Sequence, residues 1–217
     1  NFTYGASSIL EYASSTANQT MSTDEFNTSG TRVPKNLVIN NTFGTVALDA
    51  SRTTFAGNLT VSAGTFNLFG FTINRSSAGG ILTVSNGATL RIGGTNTFPS
   101  NYSTHSIGAS STIEYGGTAQ AVASLNSSQY YGNLTISGSG TKTVSSEIRT
   151  NGNLNLTAGT LASTTNQVIV YGNVTGTGTH TCTGTGELQI ETNGATISGA
   201  TLGNLKIYSV GGGVITA

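Results

Sequence analysis

The sequence predicts an all-β chain, a parallel β-helix (β-solenoid) wound in coils of about 20 residues. Three observations predict it. Apolar residues alternate with polar ones in runs of roughly four to six residues. Gly-Asn followed by Leu or Val recurs at short spacing. A longer repeat of the same strands overlies the short one. Tandem β-sandwich modules are the alternative fold. The short period and the lack of sandwich-core aromatics, with no Trp at all, count against them.

The strands follow in order along the chain. Asn36-Leu37-Val38-Ile39-Asn40 alternates with period two, as do residues 57–62, 81–85, 132–137, 152–157 and 167–170. Alternation with β-branched side chains marks half-buried strands. Each run is cut by Gly, Asn or Ser-Gly, the residues of turns. Residues 11–30 are the only candidate helix, and Gly30 with scattered Ser and Thr argues against a long one.

The dipeptide sets the period. Gly-Asn stands at Gly57, Gly132, Gly152, Gly172 and Gly203, with Lys35-Asn36 as a variant. Neighbouring copies run from Asn36 to Asn58, from Asn133 to Asn153 and from Asn153 to Asn173. This period predicts about ten coils, stacked so that like residues form ladders. Gly-Asn is expected to supply positive φ where the chain turns.

The longer repeat matches Gly5-Ala6-Ser7-Ser8-Ile9-Leu10-Glu11-Tyr12 with Gly108-Ala109-Ser110-Ser111-Thr112-Ile113-Glu114-Tyr115, and more weakly with Gly186-Glu187-Leu188-Gln189-Ile190-Glu191. Asn-Leu follows each, at Asn36, Asn133 and Asn204. One continuous solenoid over 1–217 is therefore expected, in modules of about 1–104, 105–184 and an incomplete 185–217. Neither end reads as a capping unit, and the chain starts at Asn1. An interior slice of a longer chain, or a unit covered by neighbours, is the expectation.

The stretch Thr112-Ile113-Glu114-Tyr115-Gly116-Gly117-Thr118-Ala119-Gln120-Ala121-Val122, continued by residues 131–144 from Tyr131-Gly132-Asn133-Leu134 to Thr143-Val144, resembles the β-strand repeats of large cell-surface and secreted proteins of Bacteroidetes-type bacteria. The resemblance is clearest over 105–175 and poorest over 13–34. It implies an adhesin-like repeat protein, secreted by the type IX route, and it implies no catalytic residue.

Composition bounds the function classes. Charged residues make up 7% of the chain, against roughly 25% in ordinary globular proteins. Net charge is zero, so nothing steers the chain to nucleic acid or anionic lipid. Hydrophobic residues at 35% argue against disorder. No apolar run reaches a membrane span of about 18 residues. An extracellular, cell-surface location is expected.

No catalytic, metal or cofactor site is expected. The carboxylates are Glu11, Asp24, Glu25, Asp49, Glu114, Glu147, Glu187 and Glu191. Glu11, Glu114 and Glu191 recur at one module position, which reads as a repeated structural Glu and not a clustered acid pair. Cys182 reads as a small buried side chain, and His105 and His180 lack metal-ligand spacing. Calcium-repeat and Asp-x-Asp-x-Asp patterns are absent. Asn-x-Ser/Thr acceptors begin at Asn1, Asn18, Asn27, Asn40, Asn58, Asn74, Asn101, Asn126, Asn133, Asn155 and Asn173. Those of the Gly-Asn repeat and its neighbour (Asn58, Asn133, Asn155, Asn173) are the candidate glycosylation sites, if the host modifies such triplets. Thr175 to Thr185 alternates strictly, which suggests an ice-binding array; a polar exposed strand is the favoured reading because the array occurs once. Phe66, Phe69, Phe71, Tyr130 and Tyr131 belong either to the core or to a sugar-binding platform.

The expected function is structural and adhesive, part of a long cell-surface stalk. A self-assembling filament or sheath subunit is the alternative, and a polysaccharide-acting β-helix enzyme is disfavoured. Partners would be further copies of the chain or a glycan or other cell-surface ligand, with no nucleic acid.

Overall fold

The structure is a computed structural model that describes residues 2–125 and 129–208. It is an all-β solenoid of parallel strands, with no helix among the described residues. Residues 11–30 hold the end of Ile9–Ser14, the short Gln19–Thr20, and turns.

Each coil visits three faces in turn. The first face carries Ile9–Ser14, the start of Asn36–Ala47, the start of Leu59–Asn67, Gly79–Val84 and Tyr102–Ile107. It resumes with Ile148–Thr150, Gln167–Val170, Glu187–Ile190 and Leu205–Ile207. The second face carries the ends of the two long strands, then Thr89–Ile92, Thr112–Tyr115, Asn133–Ile136, Leu154–Leu156, Val174–Gly176 and Ile197–Ser198. The third carries Arg52–Phe55 and Ile73–Arg75, then Gln120–Val122, Thr141–Val144, Thr160–Thr164, Thr179–Cys182 and Thr201–Leu202.

Alternation decides which side chains point in. On the second face one inward row runs Val46, Phe66, Leu90, Ile113, Leu134, Leu154, Val174 and Ile197, all buried. On the first face the row is Leu10, Leu37, Leu59, Leu82 and His105. Burying one such aliphatic side chain is worth about 1.5–3 kcal/mol. A slip of one residue would turn the whole row outward, so the alternation locks the register.

The coils are longer than expected in the first half. There Leu10 pairs with Leu37 and Phe66 with Leu90. Further along, Leu134 pairs with Leu154 and Leu154 with Val174, which is the expected period. The longest path through the sheet is nine strands deep, fewer than the ten coils expected. The extra residues sit in corners, where chain length costs little.

Gly-Asn supplies the expected positive φ at one of its copies, where Asn204 has φ 46°, and works differently at the others. Gly57, Gly132, Gly152 and Gly172 are not among the positive-φ glycines. They are glycine because backbones approach closely: a Cβ on Gly57 would lie 1.2 Å from the Lys35 carbonyl oxygen, and one on Gly132 2.3 Å from that of Gly108. The Asn then closes the corner. The N–H of Asn58 donates to Asn36 Oδ1 (3.0 Å), that of Asn153 to Asn133 Oδ1 (2.9 Å), that of Asn173 to Asn153 Oδ1 (2.9 Å) and that of Thr196 to Asn173 Oδ1 (2.8 Å). The side-chain ladder supplies the acceptors where strands on adjacent faces cannot.

The long sequence repeat does not map face onto face. Ile9–Tyr12 lies on the first face, and its counterpart Thr112–Tyr115 lies on the second. Strand rows run across positions 104–105 and 184–185 without a break.

The third-face interior is partly polar. Inward register positions there read Gln120, Lys142, Leu161, His180 and Leu202. Gln120 donates to the carbonyls of Ile92 and Asn96, and Lys142 Nζ to those of Gly138 and Ser139 (3.3 and 2.8 Å). These buried donors satisfy corner carbonyls that the strand ladders leave open.

Candidate binding groove

The second face carries an outward column of Asn, Thr and Ser that Arg91 and Glu114 interrupt. It reads Asn67, Arg91, Glu114, Thr135, Asn155, Thr175 and Ser198. Arg91 Nε lies 3.3 Å from Glu114 Oε1, and the Ser137 hydroxyl donates to the same oxygen (2.5 Å). Arg91 remains 44% exposed and Glu114 19%, so the pair faces solvent. Such half-exposed pairs contribute at most about 1 kcal/mol to stability.

Beside this column lies an open groove of about 310 Å3, lined by Asn67, Phe69, Gly70, Arg91, Gly93, Gly94 and Gly116. Its glycines come from three successive coils. A Cβ on Gly93 would stand 2.2 Å from the Phe69 carbonyl oxygen, so no other residue fits there. Phe69 forms the aromatic wall. Its φ is 48°, a left-handed value that costs a bulky L-residue about 1–2 kcal/mol. Its N–H donates to Asn67 Oδ1 (2.9 Å), and the residue is 51% exposed.

The aromatic candidates thus separate. Phe66 and Tyr131 are core, Phe71 packs against the core, and Phe69 projects outward. Tyr130 stacks on Tyr171 at 6.0 Å, with the Arg149 guanidinium 5.7 Å from the Tyr130 ring centre. Arg149 is held by Glu147 (2.7 Å), beside a smaller cleft of about 90 Å3.

The carboxylates do not assemble. Glu11 accepts from Asn40 (2.9 Å) on the first face, Glu114 sits with Arg91 on the second, and Glu191 accepts from Gln189 on the later first face. No group of three His, Cys, Asp or Glu capable of holding a metal occurs among the described residues. Cys182 is half-buried and free, not buried as expected. His105 packs edge-on against Phe98 (5.0 Å), and burial lowers its pKa. His180 bridges Ser163 Oγ (3.0 Å) and the Gly203 carbonyl (2.9 Å); burial lowers its pKa, partly offset by the latter bond.

The candidate glycosylation asparagines are structural participants. Asn58, Asn133 and Asn173 carry the corner ladder, and Asn133 Nδ2 also donates to the Ser111 carbonyl (3.1 Å). Asn155 Oδ1 accepts from the Thr175 hydroxyl (2.8 Å). Asn1 and Asn126 lie outside the described residues.

The alternating Thr run is not one strand. Thr175 is on the second face and Thr179 and Thr181 on the third, with a corner between. Stacking makes a different array: Thr141, Thr160, Thr179 and Thr201 form one outward column over four coils. The array expected of Thr175 to Thr185 as one strand therefore does not form, and the stacked column is a separate feature.

The groove residues Asn67, Arg91, Gly93 and Gly94 belong to no motif read from the sequence. Their signal is the recurrence of Phe69-Gly70, Gly93-Gly94 and Gly116-Gly117 at one coil's spacing, which means something only once the coil length there is known.

No family model, curated protein or solved structure matches the chain.

Proposed function

We propose that the chain is a stiff spacer of an extracellular surface protein, a stalk or adhesin segment. The carrying observation is the row of register-locked strands nine deep, reinforced at the corner by the Asn36–Asn58 and Asn133–Asn153–Asn173 ladders. A stack of this kind resists bending through every coil-to-coil hydrogen bond and exposes few charges that salt could screen. The resemblance of residues 105–175 to bacterial surface repeats supports the extracellular setting. No helix of the described residues is long and apolar enough to cross a membrane.

Geometry makes the reading testable. Each coil adds only about 4.8 Å of length, so a stalk of about 500 Å takes roughly 100 coils. The native polypeptide should then be many times heavier than the sequence Asn1–Ala217 accounts for. Electron microscopy of native material beside its mass on a denaturing gel checks this. Fibres with helical symmetry, made of chains no longer than Asn1–Ala217, would replace the stalk with the filament-subunit reading.

A further inference from the structure

We propose that the groove at Phe69 binds a neutral hexopyranose unit of a polysaccharide. Four observations converge on it. First, Phe69 offers an exposed ring, and a pyranose presents an apolar C–H face that packs on such a ring. Second, that ring is held at φ 48°, a backbone state that Gly would adopt without cost. Local strain at an outward, half-exposed aromatic points to use.

Third, the groove lining includes Gly70, where nothing lies within 4 Å of the place a Cβ would take, so a ligand can lie close to the main chain there. Fourth, the polar wall is the Arg91 guanidinium with Asn67 beside it, and Glu114, next to the groove, pairs with Arg91. Arg91 donates and the Asn67 amide both donates and accepts, which matches vicinal hydroxyls that do both. The pair has no net charge, so it gives no reason to select a uronate or a sulfated sugar. These groups stand on adjacent strands about 4.8 Å apart, near the spacing of substituents across one sugar ring.

The proposal stands apart from the spacer reading, which concerns the stack and not this groove. One ring packed in an open groove predicts weak binding, with Kd about 1 mM per unit. The test titrates the chain with cellohexaose, mannohexaose, laminarihexaose and an oligogalacturonate hexamer, read by amide chemical shifts. Binding of at least one neutral hexaose, with the shifts centred on Gly93, Gly94 and Gly116, is expected. Phe69→Gly should weaken it about tenfold while leaving the melting temperature unchanged or raised. Glu114→Gln, which leaves Arg91 unpaired, should move preference toward the oligogalacturonate.

Three results would overturn the proposal: no neutral hexaose bound at about 10 mM, shifts centred elsewhere, or a Phe69→Gly chain that binds as before. If Phe69→Gly melts much lower, the ring serves packing. The shift map of the unaltered chain then decides alone.

Discussion

His180 shows what a single buried side chain does in this interior. Its Nδ1–H donates to the Gly203 carbonyl on the coil after its own, and its Nε2 bonds the Ser163 hydroxyl on the coil before, so it ties its neighbours on both sides together. Burial lowers its pKa, so the folded state binds its proton less readily than the unfolded chain. Its contribution is therefore present above the ordinary value of about 6.5 and is lost as pH falls below it. His105 acts in the same direction, with its Nδ1 buried and unpartnered. Thermal melting should drop between about pH 7.5 and pH 5, and His180→Gln should flatten part of that drop. Melts unchanged over this range would remove both histidines from the account.

Lys142 is the companion case. Its ammonium is buried on two carbonyls, with no carboxylate among its bonded partners, and burial lowers its pKa. Lys142→Met loses two donors but also an expensive charge, so urea unfolding should move by no more than about 1–2 kcal/mol in either direction. Neither residue was legible as interior. Period two places both on the inward side of their strands, but charge and polarity normally mark the outward one. What reverses the rule is the corner, whose open carbonyls need donors, and no sequence pattern displays that need.

At the scale of elements, the unit is a strand plus its corner. The strands were legible, and Gln167–Val170 coincides with the expected run. Their grouping was not. Asn36–Ala47 and Leu59–Asn67 each bend across two faces, and their inward parity switches on the way, from Leu37 and Ile39 to Val46 and from Leu59 and Val61 to Phe66, where the register shifts. The Gly-Asn signal marks the right places, but steric approach and not φ selects the glycine. Two predictions separate these causes. Gly57→Ala should destabilise by about 1–3 kcal/mol or more, because the methyl meets the Lys35 carbonyl. Asn153→Ala should cost about 0.5–1.5 kcal/mol, the value of one ladder bond, plus the orphaned Asn173 N–H. Equilibrium urea unfolding measures both. Equal, negligible effects would mean that the corner tolerates any residue.

For the whole molecule, stability is a sum over neighbouring coils, and charge has little part in it. Five ion pairs are present among the described residues, and the side chains of four are substantially exposed on at least one partner. The melting temperature should change little between low salt and about 1 M NaCl. A strong salt dependence would point to electrostatic contacts that the aliphatic rows do not explain. The global fold was the most legible part of the chain, because a solenoid writes its period into the sequence. The groove was the least legible. It draws Phe69, Gly93 and Gly116 from three coils, and the spacing that unites them is wider than that of the later repeats.

The corner ladder has a consequence for how such a chain changes over generations. Asn133, Asn153 and Asn173 each hold the coil that follows, and Asn153 and Asn173 are each held by the coil before. A duplication or loss of one whole coil leaves every remaining Asn with a backbone N–H to receive. A change of a few residues within a strand does not. A change within a corner is absorbed, as the unequal steps from Leu10 to Leu37 and from Leu134 to Leu154 already record. Inherited variation in this protein is therefore expected to come in two sizes, whole windings and corner lengths, with little in between.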